Sequence, residues 1–328
     1  MIAVTGANGL LGSFIIRKLI EQKETFVAIG RENCDTSILK DIESHITWRY
    51  ADINDPISLT EALEGVTHLI HTAAIVSFNP RDSKKIFDTN VLGTRNVVDA
   101  CLDVGITRLV YISSVAALGR QKNQMLINEQ NKWVDSPLNS TYAKSKYAGE
   151  LEIFRGQEEG LNTIIVNPSV ILAPTDWNRS SSQLFKYVWQ EKPFYIDGSL
   201  NYVDVRDVAR AVSQLLHSPL QNDRFILSAG QLSFNDFFKA ISKQFGKKAP
   251  RIKLNKTFIK IAASLEAFRS LITGSNPLIT RETARLANTQ FVYENNKIRK
   301  ALNFEFQTID QTLQWCCEHY IKKINGKK

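Results

Sequence analysis

Short apolar runs alternate with amphipathic stretches through the first half of the chain. Residues 2–4, 25–30, 46–51, 68–72, 108–113 and 163–167 read as strands, being brief, rich in aliphatic and β-branched residues, and mostly closed by a glycine, serine, acid or proline. Helical spacing fills the intervals. One helix opens at about Ser13 with Phe14, Ile15, Leu19 and Ile20 on one face, and others follow at 58–64, at 90–104 and after Ser140. Strands alternating with helices predict right-handed crossovers and a parallel, doubly wound α/β sheet, with ligands lying across the carboxyl ends of its strands.

Beyond Pro168 the alternation fails. Residues 173–200 mix Pro, Asn, Arg, Ser, Trp and Tyr irregularly, as a substrate-facing loop and helix would. A strand and helix at 202–217 and a strand at 224–227 are expected to rejoin the main sheet. Helices follow at 234–245, 258–272, 281–287, 296–302 and 308–320. The expected organisation is a doubly wound α/β domain at 1–170, rejoined by 201–228, and a smaller, mostly helical substrate domain from 171–200 and 229–328. The apolar run at 258–272 is interrupted by Lys260, Glu266 and Arg269, which makes it an amphipathic helix and not a membrane span.

With 328 residues, the chain is long enough for one large domain or two coupled ones. Its net charge of +8 raises the question of nucleic acid, but the basic residues are scattered, with short clusters only at Lys247-Lys248 and at the Lys-rich end. A solvated surface and an anionic cofactor account for the charge. Cys34, Cys101, Cys316 and Cys317 show no metal-ligand spacing, and an adjacent pair suits a disulfide framework badly. A reduced, cytoplasmic protein without a signal peptide, bound to neither membrane nor nucleic acid, is the expectation.

The strongest chemical signal is Thr5-Gly6-Ala7-Asn8-Gly9-Leu10-Leu11-Gly12, between the first strand and the first helix. Glycines at 6, 9 and 12 allow a sharp turn and close backbone approach. The free N–H groups of the helix start and its dipole favour a pyrophosphate. A second signal is Tyr142-Ala143-Lys144-Ser145-Lys146, which sets a phenol and an ammonium on one helical face. A nearby fixed cation favours phenolate, and moving a phenol down about 3 units takes roughly 4 kcal/mol. Third, Ser113-Ser114 closes the fifth strand; alternation turns one hydroxyl into the sheet, and Ser114 is the one expected to meet a substrate carbonyl and Tyr142.

Together these residues resemble the extended short-chain dehydrogenase/reductase family, also called the NAD-dependent epimerase/dehydratase family. The resemblance continues through Asp52-Ile53, His71-Thr72-Ala73-Ala74, Asn90-Val91-Leu92-Gly93-Thr94, Asn167-Pro168 and Tyr202-Val203-Asp204-Val205-Arg206-Asp207-Val208-Ala209. It implies that Tyr142 is the general acid/base, that Lys146 tunes it and holds the nicotinamide ribose, and that Ser114 orients a carbonyl. It further implies that Asp52 and Ile53 border the adenine and that Ala73 and Ala74 line the cofactor cleft. Asn90 would support the cofactor side, and Pro168 and Ser169 would adjoin the nicotinamide amide. His71 reads as a packed strand-end histidine and Asp207 as a helix-start residue.

Departures from the family pattern narrow the reading. Gly30-Arg31 stands where an NAD enzyme places an acid, leaving room and charge for a 2′-phosphate, so NADP is favoured over NAD. Ser114 is followed by Val115-Ala116-Ala117, without the Asp-Glu pair of the nucleotide-sugar dehydratases. With Ile75-Val76 and Phe78, this is similar to the dihydroflavonol reductase and hydroxysteroid dehydrogenase branch. The expected activity is hydride transfer between NADP(H) and a ketone, aldehyde or secondary alcohol of partly apolar character. The alternatives are a nucleotide-diphosphate-sugar epimerase with bound NAD and a non-catalytic redox-sensing protein. A homodimer through the helices at 90–104 and 142–154 is what the relatives imply.

Overall fold

The computed structural model describes residues 1–120, 125–177, 181–255 and 291–325. The helices expected at 258–272 and 281–287 lie outside the described residues. In chain order the first half holds β1 (Ile2–Thr5), α1 (Leu10–Glu21), β2 (Phe26–Gly30), β3 (Trp48–Tyr50), α2 (Pro56–Ala62) and β4 (His68–His71). There follow α3 (Ser83–Phe87), α4 (Gly93–Asp103), β5 (Arg108–Ile112), β6 (Leu126–Ile127), α5 (Thr141–Glu158) and β7 (Thr163–Pro168). The remainder holds β8 (Val170–Leu172), α6 (Ser182–Trp189), β9 (Phe194–Tyr195), β10 (Ser199–Asp204), α7 (Val205–His217) and β11 (Asp223–Leu227). Last come β12 (Gly230–Ser233), α8 (Phe234–Phe245), β13 (Ile252–Lys253), β14 (Val292–Tyr293), α9 (Asn296–Leu302) and α10 (Ile309–Asn325).

Seven strands form one sheet in the order β11-β7-β5-β4-β1-β2-β3, every neighbouring pair parallel. The order reverses between β1 and β4, which opens a crevice at their carboxyl ends. Every residue of β1, β5 and β7 is buried, because helices cover both faces of the sheet. Alternate residues feed two cores. Val4, Ile70, Val110 and Ile164 meet α1 and α7, whereas Ala3, Leu69, Leu109 and Ile165 meet α2, α4 and α5. A third core, built from Phe185, Val188, Phe237, Ile241, Leu313 and Tyr320, belongs to α6, α8 and α10.

The buried Arg108 at the start of β5 donates to the carbonyls of Leu215, Leu216, Ser218 and Leu220. Leu215 and Leu216 belong to the last turn of α7, where helix carbonyls lack intrahelical donors, and Ser218 and Leu220 follow it.

Two expectations are corrected. Helix α1 opens at Leu10, not Ser13, since the apolar Leu10-Leu11 pair already belongs to its first turn. Strand β11 joins the main sheet beside β7, but β10 does not. It pairs parallel with β8 and antiparallel with β12 in a separate three-stranded sheet. Its side chains explain this: Leu200 and Tyr202 enter the third core while Val203 reaches the first, so the strand bridges two cores.

Candidate functional site

Gly6 follows β1 with φ +66°, a conformation natural to glycine. A Cβ there would sit 2.7 Å from the backbone N and Cα of Ala73, so the turns after β1 and β4 pack backbone to backbone. Gly9 N–H donates to the Gly6 carbonyl at 2.9 Å, and the Gly9 carbonyl accepts from Ser13 at 2.9 Å. Leu10, Leu11 and Gly12 therefore form the first turn of α1, whose N–H groups have no intrahelical acceptor. That turn contains no acid to compete for the positive helix end.

Arg31 is exposed just past β2. After β3, Asp52 Oδ1 accepts from Asn54 N–H at 2.9 Å, and the Ile53 carbonyl accepts from Asn96 on α4 at 2.9 Å. Ala73 is partly buried and Ala74 exposed. The buried Asn90 lies in a π-turn over Asp88–Leu92, a local widening that often marks functional sites. Its amide clamps Ile75 from both sides, accepting from the N–H at 2.7 Å and donating to the carbonyl at 2.9 Å. It also donates to Ser145 Oγ at 3.0 Å, which ties the segment after Ala74 to α5. Pro168 and Ser169 are buried beside β11. Ser169 N–H donates to the Leu227 carbonyl at 2.9 Å, but its hydroxyl is buried without a partner among the described residues. An anion-seeking helix start, a glycine cradle and an orphaned buried hydroxyl across the crevice fit a dinucleotide.

The neighbouring serines diverge as alternation requires. Ser113 is buried and donates to Glu150 Oε1 at 2.5 Å. Ser114 accepts from Ala116 N–H at 3.2 Å, and its hydroxyl stands beside the phenol of Tyr142. Tyr142, on the first turn of α5, is partly buried with its ring edge-on to Phe78 at 6.0 Å between centroids. Burial pushes its phenol up to about 12, against the opposing pull of the Ser114 hydroxyl. The four-residue spacing of Tyr142 and Lys146 predicts a downward shift instead. The difference lies in Lys146, whose Nζ reaches past the helix to β5 and donates to Tyr111 Oη at 2.9 Å and the Ile112 carbonyl at 2.8 Å.

Lys146 is 1% exposed, and burial holds its ammonium down to about 7, opposed by the charge of Glu150. Tyr111 is buried and its phenol pushed far up. Close approach of α5 to this tyrosine depends on Gly149, where a Cβ would lie 2.5 Å from Tyr111 Oη. Behind it the fully buried His71 sits 2.7 Å from Thr5 Oγ1 and 3.3 Å from Thr94 Oγ1, its pKa lowered to about 3 by burial. His71 is thus a neutral, hydrogen-bonded packing residue.

Residue-by-residue reading missed Glu150 and Tyr111. Glu150 stands one turn beyond Lys146 on the buried face of α5, and an acid on a buried face is a visible signal. Asp207 proves to be a tether: it binds Arg210 and accepts from Gln307 N–H at 2.7 Å, whereas Asp204 caps α7. Arg206 pairs with Asp204 at 2.6 Å and stacks on Trp315 at 4.0 Å. A cleft of about 810 Å³ lies between α1, residues 35–41, residues 174–176 and α10, and neither Ser114, Tyr142 nor Lys146 lines it. Among the described residues no group of three His, Cys, Asp or Glu is placed to hold a metal ion, and no helix is long and apolar enough to cross a membrane.

A doubly wound sheet with a glycine turn at its switch point, a Ser at a strand end and a Tyr and Lys on the adjoining helix defines an NAD(P)-binding enzyme class. The profile of the NAD dependent epimerase/dehydratase family matches residues 2–227, and the chain belongs to that family. A Synechocystis protein provisionally named a dihydroflavonol 4-reductase is 28% identical over 97% of this chain and 95% of its own. Cinnamoyl-CoA reductase 1 of Petunia hybrida is 27% identical over 75% of this chain and 77% of its own. The UDP-glucose 4-epimerase of Thermotoga maritima, 16% identical, shares the fold with a TM-score of 0.81 over 98% of this chain and 99% of its own.

Proposed function

We propose that the chain is an NADP(H)-dependent reductase of ketones or aldehydes of partly apolar character, able to run in reverse on the secondary alcohol. The observation that carries this reading is the Ser114 hydroxyl beside the Tyr142 phenol, with buried Lys146 one turn along the same helix. Ser114 would orient the carbonyl oxygen and Tyr142 would hold the proton that this oxygen takes. Lys146 would swing from Tyr111 towards the nicotinamide ribose, and the bound dihydronicotinamide supplies the hydride. Leu10, Leu11 and Gly12 would bind the pyrophosphate, Asp52 and Ile53 would border the adenine, and Ala73, Ala74, Asn90, Pro168 and Ser169 would line the remainder.

NADP is favoured at β2. A side chain at Gly30 would press on Trp48 at 3.0 Å and Cys34 at 3.1 Å, so an acid is poorly housed there, while Arg31 stands free to meet a 2′-phosphate. The names of the two reductase relatives support an aromatic or extended apolar substrate, and Phe78 against Tyr142 supplies an apolar wall. The epimerase reading is weaker at Arg206, one of two candidates for a sugar-nucleotide phosphate, because it is committed to Asp204 and Trp315; the other, Arg179, lies outside the described residues.

The test follows NADPH absorbance with a panel of aromatic and aliphatic ketones and aldehydes. Turnover by the wild type, with a loss of about 10²-fold or more in Tyr142→Phe, is expected. Equal turnover by the two proteins would overturn the reading.

A further inference from the structure

Building on the reductase reading, we propose that Glu150 is a positioning residue that locks α5 to the ends of β5 and β7 and supplies the buried negative charge facing the Lys146 ammonium. Glu150 is fully buried, one helical turn from Lys146 and two from Tyr142. Its Oε1 accepts from Ser113 Oγ at 2.5 Å and from Asn167 Nδ2 at 2.6 Å. Asn167 Nδ2 also donates to the Ser114 carbonyl at 2.8 Å. One carboxylate oxygen thereby joins the helix bearing Tyr142 and Lys146 to both residues of the serine pair and to β7. The distance across which Ser114 meets Tyr142 is set through this junction.

Packing alone does not call for an acid here. A buried carboxylate is costly unless opposite charge and hydrogen bonds compensate it, and a glutamine could accept the same two bonds. Glu150 Oε2 is buried without a hydrogen-bond partner among the described residues, with the Arg224 guanidinium 3.6 Å away on β11. The groups facing Lys146 are Tyr111 and the Ile112 carbonyl on β5, neutral His71 on β4, and Tyr142 and Glu150 on its own helix. Glu150 is the one carboxylate in that set. Burial drives Lys146 towards the neutral amine, and Glu150 opposes it. An ammonium is what can both attract the ribose hydroxyls and favour proton release at Tyr142.

The experiment measures the NADPH dissociation constant of the full chain by fluorescence titration between pH 5.5 and 9.5, in wild type, Glu150→Gln, Glu150→Ala and Lys146→Arg. Wild-type binding should weaken above a break where Lys146 loses its proton. Glu150→Gln, which keeps both bonds to Oε1 but gives up the ion pair with Arg224, should lower the thermal midpoint less than Glu150→Ala does and move the break down by about one pH unit. Glu150→Ala should move the break equally and lower the midpoint further. In Lys146→Arg, whose guanidinium stays charged, the break should vanish, and adding Glu150→Gln should then shift nothing. A break that stays put in both Glu150 variants, or that survives in Lys146→Arg, would overturn the proposal. Because binding is read without a carbonyl substrate, these outcomes stand apart from failure of the reductase reading, which Tyr142→Phe turnover reports.

Discussion

Lys146 Nζ lies 2.9 Å from the hydroxyl oxygen of Tyr111 and 4.4 Å above its ring centroid, so the cation rests on the sheet and not on the phenol one turn before it. Burial lowers this lysine from 10.5 to about 7, and the sign of the consequence is fixed. Below pH 7 the amine is protonated in both folded and unfolded chains and the burial cost is fully present. Between 7 and 10.5 the unfolded chain binds the extra proton, so stability rises with pH. Lys146→Met should therefore be more stable than wild type at pH 6, with the gap shrinking by roughly 2–4 kcal/mol towards pH 10. Urea unfolding at pH 6, 7.5 and 9.5 checks this; a constant gap would contradict it.

Asn90 bonds both backbone groups of Ile75, and replacing it leaves a partly buried N–H without its acceptor. Asn90→Ala should cost about 1–3 kcal/mol and weaken cofactor binding, because the segment after Ala74 loses its tie to α5. Paired measurements of urea midpoint and NADPH affinity test it. Loss of stability with unchanged affinity would separate Asn90 from the cleft.

Arg31→Ala should weaken NADPH about tenfold or more and leave NADH nearly unchanged, as expected for loss of one charge-assisted contact to a phosphate. Isothermal titration with each coenzyme decides. Equal losses for both would remove Arg31 from the 2′-phosphate site.

Arg108 acts at the opposite end of β5 from Ser113, where its guanidinium collects four carbonyls from the last turn of α7 and the residues just after it. Arg108→Met should lower stability by about 3 kcal/mol while leaving coenzyme affinity intact. Chemical denaturation alongside NADPH titration measures both quantities.

What the sequence made legible was whatever its chemistry confines to neighbouring residues. Gly6, Gly9 and Gly12 must be close in the chain to turn a strand into a helix, and the buried strands announce themselves as unbroken apolar runs. The divergence of Ser113 and Ser114 followed from strand alternation alone. The rest depends on partners distant in sequence. Glu150 acquires its meaning from Ser113 and Asn167, 37 and 17 residues away. Periodicity marks β10 as a strand but is silent on whether β8 or a strand of the main sheet receives it. The shared helical face of Tyr142 and Lys146 was correct, yet a long flexible side chain carries its charge to whichever acceptor the fold provides, here on β5.

The central claim is net hydride transfer to a carbonyl, and isotope tracing reads it directly. Single-turnover and steady-state reactions with 4-deuterated NADPH and an active ketone are quenched and analysed by mass spectrometry. The account predicts one deuterium in the alcohol product for each cofactor oxidised, and no epimer when nucleotide-diphosphate sugars are supplied instead. Purified protein that carries tightly held NAD and interconverts such sugars with no added cofactor would contradict it.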